Sequence, residues 1–468
     1  MTLSVDTDHL RRILSASLPT GTRAAELFIE SRLSLHVGLA AGGGPIVERR
    51  WETGAHLRRF SEGRHESFVI DAPTPDSLEA LALHPEAVSV DWLRGPPPMG
   101  VPRRGVIEAT LSDAAPSATD GPWSAGFLAS ATALAADWLA PLQASRGVAS
   151  LEAGFQEILV LSTDKDPARD TRCFIDATIR IPAAIGERPT QLQETRSGAS
   201  LAALAASAQG SRHPAAMLAA RAAGLREARP APRGEMPVIF ASPSGGFLLH
   251  EICGHLLEAD HVLRGATPFA SARGHAISSP LLTLADDGSI PGMRGSTRFD
   301  DEGVAARRTP LIMDGTLVGY LSDRLTAVST GGISTGNGRR QSYRDTPMPR
   351  MTNLVIDPGR ETFAGILAGT AAGLLVTRLG RGRVDPATGR FALSVDEGFL
   401  IESGRATAPV TGAVLRGRAA DLLHDIDAVG DDAAADTGSP LCVKEDQAIP
   451  FGILQPTLRV SSMSVTEP

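Results

Sequence analysis

The sequence predicts an α+β protein, with an N-terminal α/β region followed by a β-rich, twisted-sheet or barrel-like C-terminal domain that carries a candidate metal-site helix. Three observations predict this. From Met236 onward the chain falls into short strand patterns (PVIFAS, TPLIMDGTLVGYLSD, MTNLVIDPG, RFALSVDEGFLIESGR, ILQPTLRV) separated by Gly, Asp and Pro turns. Before Met236, strand patterns alternate with Ala-rich helical runs. Two Pro/Gly-rich stretches, Gly95 to Gly100 and Arg229 to Gly234, punctuate the chain as connections between folding units do. The expected segments are therefore 1–100, 101–232 and 233–468.

Each element has its own warrant. MTLSVDTDHLRRILSASL mixes acidic and basic residues where a signal peptide needs an uninterrupted apolar run, so it reads as an amphipathic helix and the expected compartment is the cytoplasm. AELFIESRLSLHVGLA alternates as a strand does, and a helix is expected around Ser77 to Leu83. The apolar stretch Ser124 to Ala140 contains Asp137 and stops at Pro141. It is shorter than the roughly 20 residues of a membrane span and reads as a buried Ala-rich helix. FQEILVLSTD and CFIDATIRIPA follow as strands, and Leu201 to Glu227 is helix-rich. Further on, Asp314-Gly315 and Ser403-Gly404 are hairpin signals. The acidic run Asp425 to Asp436 lacks the oxygen spacing and closing Glu of a calcium loop and reads as a solvated loop.

Composition narrows the function classes. With 42% apolar and 21% charged residues the chain has the make-up of a folded globular protein, and disorder is not the default. Its 45 basic against 53 acidic residues give a net charge of −8 and no clustered Lys/Arg, which argues against nucleic acid as a partner. Three widely spaced cysteines, Cys173, Cys253 and Cys442, cannot build a disulfide framework and suit a reducing compartment.

The sharpest local feature is His250-Glu251-Ile252-Cys253-Gly254-His255, which follows the strand PVIFAS and the turn Ser244-Gly245-Gly246 and opens the apolar run LLHEICGHLLEA. It resembles the H-E-x-x-H zinc helix with one residue added. In the shorter motif two imidazoles share a helix face and the Glu beside the first activates a water. A step of five on a regular α-helix leaves the histidines about 140° apart, too far round for one ion. A one-residue π-bulge or a helix break is therefore expected between them, and Gly254, which tolerates unusual dihedrals, is where it is expected. A catalytic zinc also needs a third protein ligand and an open position; the candidates are Cys442, Glu258, Asp260 and His261, with Glu258 also placed to accept from an imidazole N–H.

The stretches LLHEICGHLLEAD, RFDDEGVAARRTPLIMDGTLVGYLSDR, TGNGRRQSYRDTPMPRMTN, VDEGFLIESGRATAPV and LCVKEDQAIPFGILQPTLRV resemble the TldD/PmbA family, specifically its metal-bearing TldD subunit rather than the metal-free PmbA (TldE) partner. Weaker similarity runs through AAELFIESRLSL and ARPAPRGEMPVIF. The resemblance implies that His250, His255 and Cys442 bind one zinc per chain and that Glu251 is the catalytic base. It implies a peptidase for short, unfolded or nicked peptides, paired with a PmbA/TldE-type partner or with itself as a homodimer. The alternatives are a maturation protease for one ribosomally made precursor, or a non-catalytic peptide-binding subunit stabilised by its metal. A deformylase-like iron site ranks last, because its cysteine stands in a different order. Two departures bear on substrate preference: Leu256 replaces the usual small Gly, and Gly380-Arg381-Gly382 replaces a triple glycine.

For the oxyanion of such a reaction, Arg339, Arg340, Tyr343 and Asn353 in the TGNGRRQSYRDTPMPRMTN loop are candidate substrate-binding donors, and Arg339 with Arg340 could hold a peptide carboxylate; intradomain salt bridges for the two arginines and a buried structural place for Tyr343 are the alternatives. The C-terminal strands also offer edges to which an extended peptide could be added.

Overall fold

A computed structural model of the chain describes residues 6–61, 64–88, 124–145, 147–185, 188–209, 212–244, 246–438 and 441–467. The Gly95 to Gly100 stretch lies outside them. Six strands, β1 (Ala24–Ala40), β2 (Ile46–Ser61), β3 (Arg64–Asp71), β4 (Val148–Ser162), β5 (Ala168–Ile185) and β6 (Arg188–Gly198), form one antiparallel sheet in the order β3-β2-β1-β4-β5-β6. Strands from both sides of position 100 thus share a single sheet.

Alternation sorts the side chains of β1. Leu27 and Ile29 face the helices Thr7–Ala16 and Pro75–Leu83, packing with Leu10, Leu14, Leu78 and Leu81. Further along the sheet, Ala131, Ala135, Trp138 and Leu139 of the Ala-rich helix Ala125–Leu139 pack on Leu151, Ile175 and Ile179. With the turn that follows it, this helix is long and apolar enough to cross a membrane, yet its Trp138 edge is part of a protein core. Each Leu removed from water here contributes about 1.5–3 kcal/mol.

Phe28, flanked by Glu26 and Glu30, faces the opposite way, toward the C-terminal half. There Glu26 accepts from Arg58 at 2.6 Å, from Arg324 at 3.1 Å and from Arg340 at 3.2 Å. Arg58 also reaches Glu302 at 2.6 Å, and Arg172 reaches Asp301 at 2.7 Å. A buried ionic layer therefore joins the N-terminal sheet to the C-terminal half.

The C-terminal half is built on a closed five-stranded barrel. Its strands run Ala372–Val384, Gly234–Phe240, Leu458–Thr466, Val414–Arg418 and Arg390–Glu402, and the last pairs back onto the first. A second sheet contains Leu284–Asp287, Arg308–Met313, Asn353–Ile356 and Gly452–Gln455. Both hairpin signals fold as written: Asp314 and Gly315, and Ser403 and Gly404, take positive φ at two-residue turns. A third such turn, Glu445-Asp446, closes the isolated hairpin of Leu441–Lys444 with Gln447–Pro450. The acidic run departs from the expected solvated loop. Ile426–Val429 is a strand paired with Leu458–Thr466, and Asp432 accepts from the backbone N–H of Thr457 at 2.8 Å.

Candidate metal centre

The barrel strand Gly234–Phe240 delivers the chain, through a turn, into a helix at Gly246–Leu249. Helical bonding continues but widens: His250–Gly254 is a π-helical turn in which the His255 N–H bonds the His250 carbonyl, five residues back. A tighter 3-10 turn, His255–Leu257, follows, and the chain then extends at Glu258. The π turn is where the five-residue spacing requires it, but the reason for Gly254 differs from the expected one. Its dihedrals are ordinary right-handed helix, φ −51° and ψ −61°. What glycine leaves here is space: a Cβ would lie 1.9 Å from Met351 Sδ, so the methionine side chain would have to move.

The wide turn brings the rings of His250 and His255 to a centroid separation of 4.8 Å at 74°. Cys442 arrives from the 441–450 hairpin, 187 residues later, with Sγ 3.1 Å from His255 Nε2. One donor atom each from His250, His255 and Cys442 lie within 4.8 Å of one another, all from buried residues. His250 is stacked on Phe451 at 3.8 Å and on Phe247 at 6.0 Å, which fixes its ring plane. Its buried Nδ1 has no hydrogen-bond partner. A soft thiolate with two imidazoles is a donor set that suits zinc, and an orphaned ring nitrogen beside it fits an ion-binding role.

The electrostatics favour the thiolate of that donor set, and they hold a proton on His255 that a bound ion would have to displace. Burial disfavours a Cys442 thiolate, but the facing His250 and His255 outweigh burial and hold the thiol well below its ordinary range. Burial likewise opposes charge on His255, yet Glu258 and Cys442 raise it well above its ordinary value. Glu251, next to the first histidine and partly exposed, is pushed up by burial against the pull of both imidazoles, the direction a proton-shuttling carboxyl needs.

Of the other ligand candidates, Glu258 accepts from His255 Nδ1 at 3.0 Å, which leaves Nε2 to face Cys442. Glu258, Asp260 and His261 also cluster within 4.8 Å, but the Lys444 ammonium lies against the two carboxylates, 2.9 Å from Glu258 and 2.8 Å from Asp260, and supplies the cation. Lys444, Phe451 and Arg350, whose guanidinium donates to the Cys442 carbonyl, are supports that the sequence reading did not single out. The one available signal was Lys444, two residues after Cys442 and so on the same face of a strand.

The four proposed substrate donors are placed elsewhere. Arg339 is buried and donates to the Met351 carbonyl at 2.6 Å. Arg340 pairs with Glu26, donates to the Asp301 carbonyl and lies over the Phe28 ring. Tyr343 is buried against Gly54, with its hydroxyl on Asp71. Asn353 bridges the Gly295 N–H, the Asp287 carbonyl and the Ser296 hydroxyl. The Gly-rich loop is sealed by the N-terminal sheet and its neighbours, so these side chains are committed to internal partners, the alternative weighed for the arginines and Tyr343.

Residues 233–467 match the family model described as the PmbA/TldA metallopeptidase C-terminal domain. The metalloprotease TldD homolog of Haemophilus influenzae is 41% identical over 235 residues, covering 50% of this chain and 49% of that protein. The metalloprotease TldD homolog of Buchnera aphidicola is 34% identical over 336 residues, covering 68% and 67%. The chain thus matches about half the length of the first of these relatives. The crystal structure of TldE from Thermococcus kodakarensis superposes with a TM-score of 0.72 at 18% identity, covering 98% of this chain and 99% of that one, a likeness of fold.

Proposed function

The chain belongs to the PmbA/TldD metallopeptidase family, and on that premise we propose that it is a zinc-dependent peptidase whose metal is held by His250, His255 and Cys442, with Glu251 as general base. The observation that carries the reading is the convergence of those three donors, from segments 187 residues apart, beside a carboxylate with a raised pKa. Zinc, when bound, supplies Lewis-acid polarisation of a peptide carbonyl and makes water a better nucleophile near neutral pH.

The residues do the rest. His250, fixed by its stack on Phe451, and His255, oriented by Glu258, present nitrogen lone pairs. Cys442 presents sulfur as thiolate. Glu251 takes a proton from the attacking water and returns it to the amine leaving group, a role worth about 10²–10⁴-fold in rate. Short, unfolded or nicked peptides are the proposed substrates, and the cytoplasm is the proposed compartment. A PmbA/TldE-type partner or a second copy of the chain is the proposed assembly, in line with the fold shared with TldE.

The test is degradation of an unstructured peptide by wild type and Glu251→Ala, each expressed alone and with a candidate partner. Glu251→Ala should keep its metal and lose cleavage. Cleavage at the wild-type rate by that variant would remove Glu251 from the chemistry.

A further inference from the structure

The two segments that meet at the candidate metal centre meet twice. On the strand Leu441–Lys444, alternation sends Leu441 and Val443 outward, 49% and 67% exposed, and Cys442 and Lys444 inward. On the facing segment, His255 and Glu258 stand one turn apart. Cys442 meets His255 at 3.1 Å, and Lys444 meets Glu258 at 2.9 Å. A single oxygen, Glu258 Oε2, takes both the Lys444 ammonium and, at 3.0 Å, the His255 Nδ1–H. The ammonium also donates to Asp260 and to the Pro349 carbonyl, at 2.8 and 3.3 Å. Glu258 is fully buried and Lys444 nearly so, so neither can exchange its partner for water.

We propose that Lys444 and Asp260, acting through Glu258, form a positioning relay that fixes the ring orientation and tautomer of His255 and locks the Cys442 hairpin onto the histidine segment, building the metal site before the ion arrives. The inference rests on the ligand assignment of the proposed function and goes beyond it in naming what orients those ligands. Histidine ligands are commonly held by a carboxylate in this way, and loss of that carboxylate weakens metal affinity about 10–100-fold. Here the carboxylate is itself anchored by a lysine from the segment that carries the third ligand, which ties ligand orientation to segment docking.

The experiment is a chelator-competition titration of zinc, with cobalt(II) spectra at saturation, on wild type, Glu258→Gln, Lys444→Met and Lys444→Arg. Glu258→Gln and Lys444→Met should each raise the zinc Kd about 10–100-fold. At saturation they should still show the wild-type thiolate-to-cobalt band, because the ligands are unchanged. Lys444→Arg, which keeps the cation, should recover part of the loss. If Lys444→Met does not fold, the near-isosteric Glu258→Gln decides. A merely structural role would shift urea unfolding while leaving the Kd of the folded protein alone, so a Glu258→Gln Kd within twofold of wild type overturns the relay. Wild type that binds neither ion overturns the relay and the metallopeptidase reading together. Because binding is read and not turnover, wild type that loads zinc without cleaving peptide counts against the peptidase reading only.

Discussion

Replacing Gly254 by alanine should damage the metal centre without touching a ligand. The added Cβ would sit 1.9 Å from Met351 Sδ, 2.7 Å from its Cε and 3.3 Å from its Cγ. Met351 is buried in the core that also contains Ile252, Leu256 and Leu257, and its carbonyl is held by Arg339 at 2.6 Å. The methionine must change rotamer inside packed surroundings, or the π turn must move. Overpacking of this kind costs about 1–3 kcal/mol. If the turn relaxes to regular α-helix, the five-residue step swings the two imidazoles to about 140° apart, and they no longer converge. Urea unfolding and bound-zinc analysis of the purified variant read the two effects separately. The expected result is a stability loss in that range with sub-stoichiometric metal, and recovery of metal in Gly254→Ala/Met351→Ala, where the clash is removed. Wild-type stability and a full complement of zinc in Gly254→Ala would refute the argument that close packing against Met351 shapes the π turn.

Three further outcomes follow from the buried ionic layer and the sealed loop. Glu26 is fully buried; burial pushes its carboxyl up, but Arg58, Arg340 and Arg324 outweigh that and hold it at about 2, against 4.5 when free. A depressed folded pKa means stability that is present above about pH 4.5 and lost as pH falls toward 2, so urea unfolding should show the N-terminal sheet loosening across that window. Glu26→Gln should cost about 3–5 kcal/mol at neutral pH, because the guanidiniums are left without their shared anion. A flat acid profile in wild type, or a neutral Glu26→Gln, would contradict this. Tyr343→Phe removes only the hydroxyl on Asp71. It should lower stability by about 1 kcal/mol and leave peptide cleavage within twofold; a large loss of kcat would restore Tyr343 as a substrate-facing group.

Much of this architecture was legible because its signals are local. The strand runs after Met236, the Asp314-Gly315 and Ser403-Gly404 turns and the Ala-rich helix all depend on neighbours a few residues apart. The His250–His255 spacing likewise carried its own geometric demand, and the π turn meets it. What depends on distant partners was not legible. Cys442 is singled out only by family resemblance, since nothing local ties it to a histidine 187 residues away. For Arg339 and Arg340 the local sequence suits a bidentate carboxylate site and an internal ion pair equally well. Their surroundings include Glu26, 314 residues before Arg340, and no sequence window contains that pairing. Gly254 takes ordinary helical dihedrals, not unusual ones, and its close approach to Met351 is a tertiary fact that no local pattern contains.

X-ray absorption at the zinc edge of the metal-loaded protein, in wild type and Cys442→Ala, reads the ligand set itself. Wild type should show one zinc per chain, with one sulfur at about 2.3 Å and two imidazole nitrogens at about 2.0–2.1 Å, and Cys442→Ala should lose the sulfur shell and bind zinc more weakly. A wild-type spectrum without sulfur, or one unchanged by Cys442→Ala, would contradict the assignment of His250, His255 and Cys442 as the metal centre.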